Sequence, residues 1–311
     1  MTLPYRYIGC DISKLWLDLY DPQEGRVRRI ANTRKATEDF ARSLAGSPAF
    51  VVFEATGPYE RALRAALHEA GVACARINPA QARRYAQALG RRAKTDALDA
   101  RLLADLGLRL CPQPEARPCP HRERLAALSA RRDQLVAMRV METNRLEQAG
   151  ERIIRLDIRR AIARLGAAIA RLEAEISASI DRHDSLRRQA RLLASAPGIG
   201  AVSTHVLLAL MPELGRTRPK ALAAMAGLAP FNHDSGRMKG QRAIAGGRRR
   251  VRQALYIAAM RAKTVCPQLK AFAERLENSA KPKKVIIIAV ARKLLTRLNA
   301  MLRDQTSYAT T

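Results

Sequence analysis

Four prolines crowd the segment CPQPEARPCPH, residues 111–121, and they divide the chain. Proline has no amide donor and clashes with the preceding turn, so neither a helix nor a central strand runs through Pro112, Pro114, Pro118 and Pro120. The pieces on either side must fold separately, and 311 residues leave room for roughly two domains, each with its own core. Before the prolines, short apolar runs alternate with helix-period segments. YRYIGCDI, KLWLDLYD and GRVRRIANT read as three successive strands, AFVVFEATG as a buried strand and VACARIN as another. Helices are predicted over TEDFARSLAG, YERALRAALHEAG and PAQARRYAQALG. A meander followed by strand–helix alternation predicts an α/β domain with a mixed sheet over 1–115. After the prolines the pattern becomes all-α. Residues 121–193 read as a long helical hairpin or coiled-coil segment, and 194–311 as a mostly helical C-terminal domain entered through a helix-hairpin-helix-like turn.

Charge narrows the function. The chain carries 56 Lys plus Arg against 28 Asp plus Glu, a formal +28, which points to nucleic acid as the partner. The excess is uneven: residues 1–110 hold 18 basic and 12 acidic side chains, leaving 38 basic and 16 acidic beyond them. No apolar run approaches the roughly 20 residues needed to span a bilayer, so no membrane partner is expected. The N-terminus has no signal-like apolar region, which predicts a cytoplasmic protein. Cys10, Cys74, Cys111, Cys119 and Cys266 are odd in number and unpaired in spacing, which predicts reduced thiols rather than disulfides or a zinc site.

Two groups of residues carry chemistry. Asp11 and Glu54 each follow an apolar strand, at the end where sheet domains place their sites, and Asp96 and Asp99 are spaced to share one face of a helix. Four converging carboxylates would repel one another unless hard divalent cations lay between them. Spacing alone also allows four unconnected surface acids. Glu60 and Asp105 read as solvated helix residues. The second group begins in FNHDSGRMKGQR and extends into the next helix-period segment: from Gly236 to Ala273 there is no carboxylate, while Arg237, Lys239, Arg242, Arg248, Arg249, Arg250 and Arg252 accumulate. An anionic backbone is expected there. Upstream, Gly198 and Gly200 in APGIG lack the Cβ that would keep backbone amides from a phosphate, although a plain helix–helix turn has the same composition. Ser235, taken alone, is a turn residue.

GCDISK, FEATGPY, INPAQAR, KTDALDARLLADL, APGIG and GLAPFNHDSGRMKGQRAIAGGRRRVRQALYIAAM occur in the order found in the IS one-ten family of insertion-sequence transposases, which the chain resembles over nearly its whole length. The resemblance implies an N-terminal ribonuclease-H-like domain, akin to Holliday-junction resolvases, with an Asp-Glu-Asp-Asp site for Mg²⁺ or Mn²⁺. That site falls on Asp11, Glu54, Asp96 and Asp99. It implies that Ser235 is a nucleophile on DNA, and that a structured noncoding RNA guides the enzyme to donor and target DNA. A homo-oligomer, dimer or tetramer, in the bacterial cytoplasm at the nucleoid is expected. With 4% aromatic residues, base stacking is expected to be a minor element, and Tyr5, Tyr7, Tyr85 and Tyr256 read as core or rim residues. Two rivals stay open: a metal-dependent resolvase or nuclease that uses water, and a noncatalytic nucleic-acid-binding protein.

Overall fold

In the computed structural model, residues 6–55, 57–90, 96–231 and 242–308 are described, with residues 96–98 described by their backbone alone. The chain divides into two compact units, 1–117 and 118–311.

The first unit is built on a five-stranded sheet in the order β3-β2-β1-β4-β5. Strands β1 (Arg6–Ile12), β2 (Trp16–Tyr20) and β3 (Val27–Ala31) form an antiparallel meander, and β4 (Ala49–Glu54) and β5 (Ala73–Ile77) add in parallel on the other side of β1. β1 and β4 are near-continuous apolar runs because both of their faces are covered. On one face Ile8, Cys10, Val51 and Phe53 pack with α1 (Arg34–Leu44) and α2 (Arg61–Glu69). On the other, Tyr7, Phe50, Val52, Ala75 and Ile77 meet α3 (Pro79–Ala88) and α4 (Asp96–Leu110) through Ala82, Leu103 and Leu106. Asn78 caps α3, its Oδ1 accepting from the Ala80 amide at 2.9 Å, and Pro79 occupies the first helical position, where its missing donor costs nothing. The outer strand β3 carries Arg28 and Arg29, charges that blunt an exposed edge.

Among its described residues the second unit is helical but for the short pair β6 (Pro230–Phe231) and β7 (Ala243–Ile244). Helices α5 (Pro120–Gln148) and α6 (Arg152–Asp181) pack on each other as a long hairpin, cross-linked by Arg132 to Glu173 and Arg124 to Glu175. The base of this hairpin shares one core with the C-terminal helices: Leu125, Ile176 and Ile180 join α7 (Asp184–Ala194), α8 (Ala201–Leu210), α9 (Pro219–Met225), α10 (Arg249–Val265), α11 (Pro267–Asn278) and α12 (Lys283–Asp304). The sequence drew a break at residue 193; packing runs across it. α10 presents Ala254, Ala258, Ala259 and Ala262 inward, small side chains that let α8 and α12 approach closely. Among the described residues no helix is long and apolar enough to cross a membrane.

Candidate active site and nucleic-acid interface

Strand register places the first two carboxylates. Cys10 of β1 pairs with Phe53 of the parallel strand β4, so the next residue on each, Asp11 and Glu54, stand side by side at the C-terminal ends of their strands. Side chains alternate along a strand, so Asp11 shares a face with Tyr7 and Gly9, and Glu54 with Phe50 and Val52. That face is the one covered by α4. Two glycines fix how α4 lies there. A Cβ on Gly9 would meet the Ala104 nitrogen at 2.6 Å, and one on Gly107 would meet the Val52 and Tyr7 side chains. Moving from Ala104 to Gly107 on the helix thus moves from Gly9 back to Tyr7 on β1. α4 runs antiparallel to β1, and its first turn reaches the strand end that bears Asp11 and Glu54. Asp99 sits in that turn, half-buried like the other two carboxylates. Asp96 opens the helix three residues earlier, and its side chain lies outside the described residues.

The structure adds a carboxylate that sequence reading passed over. Asp18 on β2 stands directly opposite Asp11, on the same face, and is only 5% exposed. Arg29 on β3 neutralises it through two bonds of 2.9 Å. The alternation of WLDLY, with two leucines directed to the other face, was the available signal. Acidity at this corner is felt by Cys10: burial first, then the charges of Asp11 and Asp18, push its thiol well above the ordinary range. Glu60 differs from the expectation of a solvated residue. It is 4% exposed and held by Arg76 at 2.8 Å, because the 3₁₀ turn Gly57–Glu60 folds it under the sheet edge. Asp105 bonds Tyr85 and Arg109, tying α3 to α4.

A second cluster, His68, Cys74 and Glu115, brings three ligand-type atoms within 4.8 Å of one another. Its carboxylate is already engaged by arginines. Arg64 grips Glu115 with two bonds and Arg76 adds a third contact at 3.7 Å, while burial and the nearby Glu115 push the Cys74 thiol up to about 12.

In the second unit the basic run resolves into two kinds of arginine. Arg248 forks onto Glu213 with two bonds of 2.6 Å and reaches the Leu210 carbonyl at 2.8 Å. Arg250 bonds both oxygens of Asp133 on α5, one at 2.9 Å, and Arg252 donates to the Gly246 carbonyl at 2.7 Å. For Arg248 and Arg250 the carboxylates missing from Gly236–Ala273 are supplied by distant stretches of chain, while Arg252 is held by a backbone carbonyl, so these three cations stitch the unit together. Arg242 and Arg249 are exposed. Ser235, Arg237 and Lys239 lie outside the described residues. Gly198 has a different reason to be glycine than closeness to a phosphate: at φ +82 its added Cβ would lie 2.3 Å from the Ala258 carbonyl oxygen, so it lets the turn before α8 seat on α10. Gly200, at the N-cap of α8, has open space where its Cβ would stand.

Comparison with known proteins matches these features to one family over both units. Residues 8–153 match the DEDD transposase domain of IS110 type, and residues 190–274 match the domain described as "Transposase IS116/IS110/IS902 family". The chain is 33% identical over 265 residues to the "Pilin gene-inverting protein" of Moraxella bovis, covering 83% of this chain and 81% of that one. It matches the protein of that name from Moraxella lacunata to the same extent. It is also 33% identical over 140 residues to a protein of the insertion element IS110 from Streptomyces coelicolor, 44% of this chain and 33% of that protein. A basic chain with this carboxylate corner and both family domains is a DNA-modifying enzyme of transposition and recombination, and it belongs to the IS110 family of transposases.

Proposed function

We propose that the chain is a conservative DNA recombinase that cuts through Ser235, holds the broken strand as a serine phosphodiester, and rejoins it to a new partner, with divalent metal at the carboxylate corner. The observation that carries this reading is the convergence of Asp11, Glu54 and Asp99, from two adjacent parallel strands and one helix, on the same corner of the sheet. The strand order β3-β2-β1-β4-β5 supports a ribonuclease-H-like domain around it. An all-carboxylate donor set fits Mg²⁺ or Mn²⁺ and suits soft ions poorly. Asp11, Glu54, Asp99 and Asp96 would hold such ions, which when bound stabilise the attacking and leaving oxygens of a phosphodiester exchange. In the cleavage step the Ser235 hydroxyl oxygen bonds phosphorus and gives up its proton, while the P–O bond to one deoxyribose breaks and that oxygen takes up a proton. Religation is the reverse, with a hydroxyl from a second strand as attacker. The number of phosphodiester bonds is conserved. Gene inversion, named for the Moraxella relatives, requires this economy of cutting and rejoining. Donor and target DNA would be selected by a structured noncoding RNA, whose backbone needs positive charge more than base-reading side chains. Cutting two DNA sites in concert calls for a homo-oligomer, at work on the nucleoid in the cytoplasm.

Ser235→Ala tests the reading. Wild-type protein with end-labelled substrate and Mg²⁺ should leave a protein-linked band on a denaturing gel that maps to Ser235, and the variant should fold and bind DNA but form no adduct. Cleavage by Ser235→Ala with release of free ends would instead make water the nucleophile.

A further inference from the structure

We infer that Trp16 is a stacking platform for one unpaired nucleobase of the DNA strand cut at the carboxylate corner; this rests on the reading of that corner as the cutting site. Trp16 is the single tryptophan of the chain and is 45% exposed. Leu17 and Leu19 of β2 belong to the core on the α1 and α2 side, so Trp16, Asp18 and Tyr20 alternate to the α4 side. Tyr20 fixes that assignment, since the Arg101 guanidinium of α4 lies over its ring at 5.2 Å. Asp18 faces Asp11 directly, which makes Trp16 the diagonal neighbour of Asp11, about 7–8 Å away along the same face. One nucleotide spans such a gap, with its phosphate at the carboxylates and its base at the indole.

The platform is braced before any ligand arrives. Ser13 and Trp16 exchange backbone and side-chain bonds of 2.9 and 3.1 Å. Asn32 then locks the turn, its amide bonding the Leu15 carbonyl at 2.8 Å and its side chain donating to Ser13 and Tyr59 carbonyls at 2.9 Å. The cross-strand neighbour of Trp16 on β3 is Ala31, too small to cover an indole. A rigid, half-bare aromatic beside a phosphodiester-cutting corner suits a planar base, and the adjacent exposed Lys14 suits that nucleotide's backbone. Paired bases have their faces closed by stacking, so the occupant is unpaired.

Emission from the whole chain, excited beyond the tyrosine absorption band, reports this one side chain. Without divalent metal, saturating single-stranded DNA should quench it by roughly half while the same sequence as duplex leaves it nearly unchanged, as stacking on an aromatic requires an open base face. Trp16→Ala should weaken single-strand binding about 10-fold with duplex binding unaltered, and Trp16→Phe should restore most of it. Unchanged emission when anisotropy shows the single strand bound overturns the proposal, as does quenching by single-stranded RNA alone or unaltered binding by Trp16→Ala. Asp11→Asn separates the two readings: its failure to cut with Mg²⁺ supports the corner, whereas cutting by Asp11→Asn sinks the corner reading whatever the indole does.

Discussion

At Gly9 the backbone of α4 comes so near β1 that an added Cβ would lie 1.9 Å from the Ala100 carbonyl oxygen. Neither the central strand nor the helix can yield by that much, because Tyr7, Val52, Leu103 and Leu106 fill the space on either side. Gly9→Ala should therefore lift the first turn of α4, and with it Asp99, away from Asp11 and Glu54. Overpacking of this severity costs about 3 kcal/mol or more, so the melting temperature of the first unit should fall by over about 10 °C. Mg²⁺-dependent activity should vanish although every carboxylate remains. Calorimetry and the adduct assay check both halves of this expectation, and a wild-type melt would refute the close contact.

The start of α10 teaches the same lesson for an element. RRRVR reads as a basic face, yet Arg248 and Arg250 each close on an acid from elsewhere in the unit. Burial raises the Glu213 pKa, but the Arg248 hydrogen bonds and charge outweigh it and hold the carboxyl below its ordinary value. A depressed folded pKa contributes stability that is present above the unfolded value and lost as pH falls through the folded one. Glu213→Gln should thus cost about 1 kcal/mol near neutral pH, a modest sum because Arg248 is partly exposed. The difference between variant and wild type should close below the ordinary carboxylate range. Urea melts at neutral pH and near about pH 3 make the comparison, and a difference that persists at the acid end would count against this pair.

For the whole molecule, net charge decides how tightly nucleic acid is held, and exposure decides which cations take part. Arg242 and Arg249 are open to solvent, so replacing both with alanine should lower the slope of log affinity against log salt by about two, uniformly across sequences, and leave stability intact. Arg250→Ala should do the opposite, changing the slope little while destabilising the unit by removing the ion pair that ties α10 to Asp133 of α5, with Arg132 still 3.2 Å from that carboxylate. Salt titrations of DNA binding beside thermal melts distinguish the two classes, and equal slopes for the two variants would erase the distinction.

Local rules made much of this protein readable in one dimension. Prolines from 112 to 120 marked the passage between units, and the short apolar runs of YRYIGCDI and AFVVFE marked buried strands, each followed by an acid, because proline geometry and strand-length apolar runs act within a few residues. Asp96 and Asp99 shared a helix for the same reason. What tertiary structure alone decided depends on partners far apart in sequence. Strand register set Asp11 beside Glu54 and opposite Asp18, and a close helix crossing at Gly9 carried Asp99 to them. Arg29, Glu213 and Asp133 found countercharges across 11, 35 and 117 residues, separations over which sequence spacing holds no information about distance. Trp16 likewise stands exposed beside the small Ala31 of the neighbouring strand, a pairing that exists only once the sheet has formed.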